Sequence, residues 1–518
     1  MVESIVWLIP LPPLVAALLI IIGYIQGSNR GEAGERVTSW LSVGAASLSL
    51  LLVLLLDLWA VVTVATPGQV DLGRWFASGD YQLRISFYLD LFGLVMISLV
   101  TLISLLMLRF SVNYMHREAG FQRFFMVMNL FVGGMLLIVM AGSATLLFVG
   151  WELAGVSSYL LIAYAFDRPT ATANATRAFV TNRIGDAALI CAIFLSLSWL
   201  GSVEWDALFS GSAKLSTLQV DILAGGFLVA ALAKSAQLPF SPWIARALEG
   251  PTPSSAIFYG SLMSHAGIFL VIRLQPLFEG APGLMLLMLL LGLLTALYGF
   301  LGSLVQTDVK SALIFSSTGQ VGLMFFACGL GWFELAAWHL VIHAIWRAYQ
   351  FLHAPALLQL VHRSARPAPA WLRSRKRLYI AVVQRFWLDH LVDRLLVTPT
   401  RSLSRDVDNF DERVVTRLLG MPTQGDVVST LREWEQRRRQ AGSGESFVGQ
   451  GRGVAGVVME RIASALQWFE EQFILKGGGD GLIKLLSVVG GYLLLIDQLL
   501  SRPRYLLLLI MATIVVIL

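Results

Sequence analysis

The sequence predicts an all-α polytopic membrane protein on three observations. The 518 residues are 56% hydrophobic and only 14% charged, mean hydropathy is +0.72, and apolar residues recur in runs of about 20, the length that crosses a bilayer as a helix. A soluble chain of this length would need far more charge to cover its surface. In lipid every backbone group must be satisfied internally, which helices do. A net charge of +5 is small, and membrane topology explains it better than nucleic-acid binding. Cys191 and Cys328 both fall inside apolar runs, which argues against a disulfide framework and against a zinc or iron–sulfur site. They read as buried, unreactive thiols.

The first run, "MVESIVWLIPLPPLVAALLIIIG", has Glu3 where a signal peptide would be basic and lacks a small-residue cleavage site, so it reads as a retained first span. Hydropathy then gives about eleven spans before residue 362, near 5–25, 37–64, 87–110, 121–141, 143–166, 178–200, 221–237, 253–275, 283–304, 310–330 and 333–360. With the N-terminus outside, the inner loops carry Arg30, Arg36, Arg117, Arg123, Arg168, Arg177, Arg246 and Lys310. The outer ones carry Arg74, Arg84, Lys214 and Arg273. The last span would exit into "HRSARPAPAWLRSRKR", the most basic stretch of all. The positive-inside rule therefore orients the chain N-out with a cytoplasmic tail.

The tail changes character at "RPAP". Leu403, Val407, Phe410, Val414 and Leu418 fall on one helical stripe, and Val458, Ile462, Leu466, Phe469 and Phe473 on another. "QAGSGESFVGQGRG" between them and "KGGGDG" after them read as linkers. "YLLLLIMATIVVIL" (505–518) reads as a short membrane-anchoring helix. The expected organisation is N-terminal helices at 1–120, a first bundle at 121–275, a partial second bundle at 276–361, an amphipathic tail at 362–502 and a membrane helix at 503–518.

Ionisable residues inside spans are costly and point to function. Glu152 lies in "LLFVGWELAGVSSYLLIAY", Lys234 near the end of "ILAGGFLVAALAKSAQ", and His265 in "GSLMSHAGIFLVI". The run "FELAAWHLVIHAIWRAYQFLH" places His339, His343 and Arg347 at i, i+4 and i+8, along one helix face. Arg183 and Asp186 lie near the start of the sixth span, Arg177 just before it, and Asp308 and Lys310 at the start of the tenth. A carboxylate, a lysine and several histidines on different spans are what a proton relay requires. A Glu152–Lys234 pair can act as a switch, the carboxylate holding the lysine protonated when close and releasing its proton when withdrawn. Pro239 and Pro242 break the helix just after Lys234, and backbone freed there can line a water-filled cavity. The plainer reading stays open: these groups could form structural ion pairs and core hydrogen bonds. Metal binding by the i, i+4 histidine pair lacks a third ligand in the sequence.

"GWELAGVSSYLLIAY" (150–164), "ATRAFVTNRIGDAALI" (175–190), "AKSAQLPFSPWIARALEGPTPSSA" (233–256), "DVKSALIFSSTGQVGLMFF" (308–326) and "HAIWRAYQFL" (343–352) together resemble the antiporter-like subunits of respiratory complex I. That superfamily includes the large subunits of Mrp-type sodium/proton antiporters and the membrane subunits of inorganic-carbon uptake complexes. The likeness covers about residues 1 to 360. "QRFWLDHLVDRLLVTPTRSLSRDVDNFDERVVTRLLG" (384–420) is similar to the segment leading into the lateral helix of the largest such complex I subunit. The resemblance implies relay roles for Glu152, Lys234, His265, His339 and His343. Charge-modulating roles are expected for Arg347, Arg177, Asp186, Asp308 and Lys310. Two departures stand out: Tyr259 lies where the family has a histidine, and Arg347 replaces a lysine and can hardly release its proton. The later helices of the second inverted repeat are not recognisable.

The truncated second repeat is most similar to DabB, the membrane subunit of DAB-type inorganic-carbon accumulation complexes. That likeness implies a proton-conducting transport subunit, not itself an enzyme, in a bacterial inner membrane. It would energise CO2 hydration by a large cytoplasmic zinc protein resembling β-carbonic anhydrases (DabA-like). Zinc would belong to that partner, and no cofactor is expected in this chain. Two alternatives stay open: a proton-pumping subunit of a complex I-like or Mrp-type sodium/proton antiporter assembly, and a non-conducting scaffold. The motifs do not separate proton from sodium.

Overall fold

The computed structural model describes residues 2–78, 81–360 and 367–410. The chain divides into two compact units, Met1–Val397 and Thr398–Leu518. The first is helical apart from one hairpin. A short α1 (Val2–Leu8) precedes α2 (Leu11–Gln26), which starts on a proline-rich turn, where the missing N–H costs nothing, and ends on a left-handed Gly27. α3 (Gly31–Thr63) follows, and then an antiparallel hairpin of β1 (Gly68–Ser78) and β2 (Tyr81–Leu89). This hairpin fills the interval between the second expected span, 37–64, and the third, 87–110, and takes in the first residues of the latter.

Asp90 caps α4 (Leu91–Tyr114), accepting from the Gly93 N–H at 2.7 Å. Next come α5 (Phe121–Met140), α6 (Ala144–Ile162, capped by Ser143), α7 (Pro169–Leu200) and a short α8 (Trp205–Ser212). A capping box of Ser216 and Gln219 opens α9 (Thr217–Lys234). Short pieces follow: α10 (Pro242–Arg246), α11 (Thr252–Ser255), α12 (Ala266–Arg273) and α13 (Gln275–Glu279). Then come α14 (Pro282–Ser303), α15 (Val309–Gly329) and α16 (Phe333–Leu360). The unit closes with α17 (Ala370–Ser374), α18 (Lys376–Val383) and α19 (Leu388–Val392). It extends to Val397.

Ten helical segments among the described residues are long and apolar enough to cross a membrane. Ten of the eleven expected runs fall on them. The eleventh, α16, is a 28-residue helix outside that set, because Glu334, Arg347 and three histidines dilute its apolar face. The ninth and tenth spans, α14 and α15, pack through a seam of glycines. A Cβ at Gly299 would stand 2.4 Å from the Gly319 backbone nitrogen, so only a bare backbone permits this approach. Cys328 is buried as expected, whereas Cys191 is exposed on α7, because its apolar surroundings face outward.

In the second unit the described part is α20 (Thr398–Phe410), the first half of the expected 403–418 stripe. The second stripe, the linkers and the anchoring helix at 503–518 lie outside the described residues.

Candidate functional site

Two helices in the middle of the first unit break, and a buried ionisable residue sits at each break. α9 ends at Lys234, and Ala236 takes a left-handed φ of 51° before the chain restarts at α10. Pro239 lies in that interruption and Pro242 opens α10, so both stand at the break the sequence indicated. The second break has no proline in it. The eighth expected span, 253–275, starts as α11, passes through a π-helical turn at Ala256–Ser261 and a 3-10 turn at Met263–His265, and resumes as α12. π-turns mark functional sites often enough to be notable. Gly267 lets α12 approach α9 closely, since a Cβ there would stand 2.2 Å from the Ala231 carbonyl oxygen and 2.3 Å from Ser235 Oγ.

Lys234 is fully buried. Its ammonium donates to the Trp151 carbonyl at 2.8 Å and lies over the Trp151 ring, 4.9 Å from its centre. The expected direct Glu152–Lys234 pair is absent among the described residues. Glu152 is bound instead by Arg183, Nη1 to Oε2 at 2.5 Å, and the same guanidinium pairs with Asp186 at 2.7 Å. Asp186 also accepts from Trp151 Nε1 at 2.8 Å. A fork-shaped cation with several donors can serve two carboxylates at once, which a lysine cannot match, and this is why Arg183 wins them. The two cations flank one spot: a Cβ at Gly155 would stand 3.2 Å from Arg183 Nη2 and 3.4 Å from Lys234 Nζ. Two acids and two cations thus form one cluster on α6, α7 and α9.

The histidines form the second cluster. His265 Nε2 and His343 Nδ1 are 2.9 Å apart, and Arg347 Nε donates to His343 Nε2 at 3.2 Å. Arginine only donates, so the His343 nitrogen it reaches carries no proton. Neutral His343 therefore holds its proton on Nδ1 and gives it toward His265 Nε2. Neutral His265 in turn carries its proton on Nδ1, facing Ser264 Oγ at 3.3 Å. Arg347 is held by Ser316 Oγ (2.5 Å) and Gln350 Oε1 (2.7 Å), with no carboxylate partner among the described residues. His339 stands one turn away, its Nε2 2.9 Å from Gln320 Oε1 and its ring centre 6.0 Å from that of His343. The i, i+4, i+8 stripe is thus one continuous polar ridge that meets His265 across the helix interface.

The chain after Lys234 and before His265 carries buried oxygens without hydrogen-bond partners among the described residues: Ser235 Oγ, Gln237 Oε1 and Ser241 Oγ follow the first, and Ser255 Oγ and Tyr259 Oη precede the second. At the end of α12 away from His265, Arg273 pairs with Asp90 at 2.7 Å. These two line a cavity of about 380 Å³ together with Glu334 and Ala337 from the first turns of α16.

The remaining expected residues lie elsewhere. Arg177 makes a two-pronged ion pair with Asp393 at 2.5–2.8 Å, and Arg246 pairs with Asp389 at 2.7 Å, so both hold the segment after residue 367. Asp308 caps α15 by accepting from Lys310 N and Ser311 N, and the Lys310 ammonium reaches Thr252 Oγ1. Sequence reasoning noted Arg183 without assigning it to Glu152. It did not single out Gln320, Ser316, Gln350 or Trp151. The only hint for Arg183 was its place three residues before Asp186 in an apolar run.

Residues 141–367 match the family described as NADH:quinone oxidoreductase/Mrp antiporter, TM, and residues 75–125 match the N-terminus of chain 5 of NADH-ubiquinone oxidoreductase (complex I). Subunit 5 of the chloroplast NAD(P)H-quinone oxidoreductase of Ipomoea purpurea is 36% identical over 361 residues, 68% of this chain and 50% of that protein. The corresponding Mesostigma viride protein is 36% identical over 67% of this chain and 54% of its own length. The chain thus spans about half the length of the curated relatives it matches. Among solved structures, a chain of the Mrp complex from Dietzia sp. superposes with a TM-score of 0.58 at 24% identity, covering 67% of this chain and 37% of that one. A chain of an archaeal membrane-bound sulfane sulfur reductase superposes with the same score at 21% identity, covering 67% and 70%. These two likenesses speak for the fold.

Proposed function

We propose, from the premise that this chain belongs to the complex I and Mrp antiporter-like superfamily of membrane subunits, that it conducts protons across the membrane through the two clusters. The observation that carries the reading is a pair of buried ionisable sites, Lys234 at one helix break and the hydrogen-bonded His265–His343–Arg347 line at the other. In the arrangement described here Arg183 occupies both carboxylates, and Lys234 leans on a carbonyl and a ring. Swinging Arg183 away frees Glu152 and Asp186 for Lys234 and stabilises its charged form. Return of Arg183 takes them back and expels the proton. Water bridging the oxygens of Ser235, Gln237, Ser241, Ser255 and Tyr259 links Lys234 to His265, since buried oxygens of this kind are satisfied by water when protein does not reach them. His343 accepts a proton on Nε2 only when Arg347 withdraws from it. The Asp90–Arg273 cavity is the mouth nearest to the histidine end. The N-terminus outside and the tail in the cytoplasm follow the distribution of basic loops.

By this reading the chain works with partner subunits, as its relatives' names place them in complexes. A finer reading, coupling to CO2 hydration by a zinc protein in a DAB-type complex, rests on residues 367–397. There, beyond the matched family region, the chain folds back through Asp389 and Asp393 and so presents a surface for a soluble partner. Proton flux into liposomes tests the main reading. Wild type should acidify the lumen, and Lys234→Ala and Glu152→Gln should fall to the level of protein-free vesicles. Equal flux in all three, or none in any, would leave the scaffold reading standing. Co-purification of a zinc-binding partner with carbonic-anhydrase-like activity, lost in Asp389→Ala/Asp393→Ala, tests the finer one.

A further inference from the structure

α2 and α5 run antiparallel, and one contact fixes their register: a Cβ at Gly133 would stand 2.4 Å from Leu14 Cδ2, so these two residues are level. At equal rise along both helices, Met126 is then level with Ile21, and Arg123 with Tyr24. Where α2 ends and α5 begins, the pair opens into a cavity of about 480 Å³. Tyr24, Arg123 and Phe166 line its mouth, and Ile20, Ile21 and Met126 line it about a turn deeper. The Arg123 guanidinium lies over the Tyr164 and Phe166 rings, 5.0 and 4.9 Å from their centres, and donates from Nη2 to the Tyr164 carbonyl at 2.6 Å. Its Nε is buried without a hydrogen-bond partner among the described residues. Arg30, just past the end of α2, lies over the Tyr24 ring at 5.3 Å and donates to the Tyr24 carbonyl at 2.9 Å. Among the described residues neither arginine has a carboxylate partner. Glu32 and Glu35, the next acids along the chain, hold Arg117 and His116 instead.

We propose that this cavity binds an anionic phospholipid, its phosphate on Arg123 and the start of one acyl chain against Ile21 and Met126, with Arg30 adding a second positive charge at the Tyr24 rim. The register puts charge at the mouth and hydrocarbon below it, the order in which a lipid presents its own chemistry. The mouth also stands at the height of a headgroup. The apolar run of α2 stops at the left-handed Gly27, within a turn of Tyr24. Tyr24 is 48% exposed and Phe166 65%, and aromatic rings collect at the headgroup level of a bilayer. The two ring contacts and the carbonyl bond hold the Arg123 fork in place before a ligand arrives, and Nη1 stays unpartnered among the described residues. A guanidinium matches phosphate oxygens in geometry and charge. Two cations without carboxylates at a membrane surface favour anionic over zwitterionic headgroups.

The test is the lipid that stays with the full-length protein after extraction from nanodiscs of phosphatidylcholine containing a minor share of phosphatidylglycerol, read by native mass spectrometry. Wild type should retain phosphatidylglycerol well above its share of the disc. Arg30→Gln, at an exposed side chain, should lower that retention roughly fivefold, and Arg30→Gln/Arg123→Gln by roughly tenfold or more. Ile21→Trp, which fills the deeper part of the cavity and keeps both arginines, should lose it too. Arg117→Gln, whose arginine is paired with Glu32, should retain it and shows that loss of a surface charge is not enough. Equal retention in the double variant overturns the proposal. So does full retention in Ile21→Trp, which would reduce the effect to surface attraction. Loss of the lipid from wild type in millimolar inorganic phosphate would overturn it in favour of a free-phosphate site, and a polypeptide found in its place would overturn it in favour of a protein occupant.

Discussion

The two buried clusters stand at two breaks in neighbouring helices, yet their electrostatics differ in kind. Around Lys234 there are two carboxylates and two cations, so the cluster is balanced, and moving Arg183 merely redistributes its pairing. Around His343 there is one permanent cation, three imidazoles and a set of amide and hydroxyl dipoles, with no acid among the described residues. A positive charge is readily stored in the first and opposed by Arg347 in the second. The first cluster is therefore suited to hold a proton, and the second to pass one along and to control when it passes.

The largest test of that contrast is Arg183→Gln. Without the guanidinium, Glu152 and Asp186 are left to Lys234, which stays charged, and flux in liposomes should drop nearly as far as in Lys234→Ala. Adding Glu152→Gln restores one acid against one cation, so the double variant should recover part of the flux. A coupling of about 1–2 kcal/mol between the two sites is expected from groups that share one network. Strict additivity would show that Arg183 and Glu152 act separately and would break the balanced-cluster picture.

A smaller effect of opposite sign is expected in the second cluster. Arg347→Met removes the donor that occupies His343 Nε2, along with the charge that opposes protonation there. Proton leak through the isolated subunit should rise, by roughly the two- to tenfold that a lost hydrogen bond of about 0.5–1.5 kcal/mol allows. A collapse of flux to the Lys234→Ala level would place Arg347 in the carrier itself rather than at its gate.

The two clusters were legible in the sequence to different depths. Apolar runs broken by Glu152, Lys234, His265 and His343 stood out because a charge within a span is rare. The i, i+4, i+8 ridge followed from helical period alone. The identity of partners did not, because Glu152 and Arg183 are 31 positions apart on different helices and only packing brings them together. Nor was the π-turn before His265 visible, since "SSAIFYGSLMS" reads as one apolar helix, with no proline and a single glycine, Gly260, of the kind helices tolerate. The missed hairpin is a different case. Val70 and Leu72, then Leu83, Ile85, Phe87 and Leu89, alternate with period two, but the same stretch leads straight into a span, and the long apolar run dominated the reading.

That hairpin supplies the smallest expected effect, and it lies outside the membrane spans. Ser86 on β2 bonds the Glu204 carboxylate at the start of α8, and Gln69 Nε2 on β1 reaches the same oxygen at 3.3 Å. Burial pushes the Glu204 carboxyl above its ordinary value, and the Ser86 and Gln69 hydrogen bonds only partly offset this. The folded hairpin therefore binds a proton at Glu204 more tightly than the unfolded chain does. Stability follows the difference in bound protons, so it falls as pH rises from the ordinary carboxylate range through the raised value, and levels off above it. Glu204→Gln, neutral at every pH, should remove that slope while keeping an acceptor for Ser86. The measurement is the difference in Tm between wild type and Glu204→Gln across that window. It should be smallest at the acid end, where both side chains are neutral, and should grow against wild type as Glu204 ionises. Parallel curves would mean that Glu204 ionises without cost, and that the hairpin is held by its backbone bridges from Phe87 to Ala141 and from Ser143 to Glu204 rather than by this carboxyl.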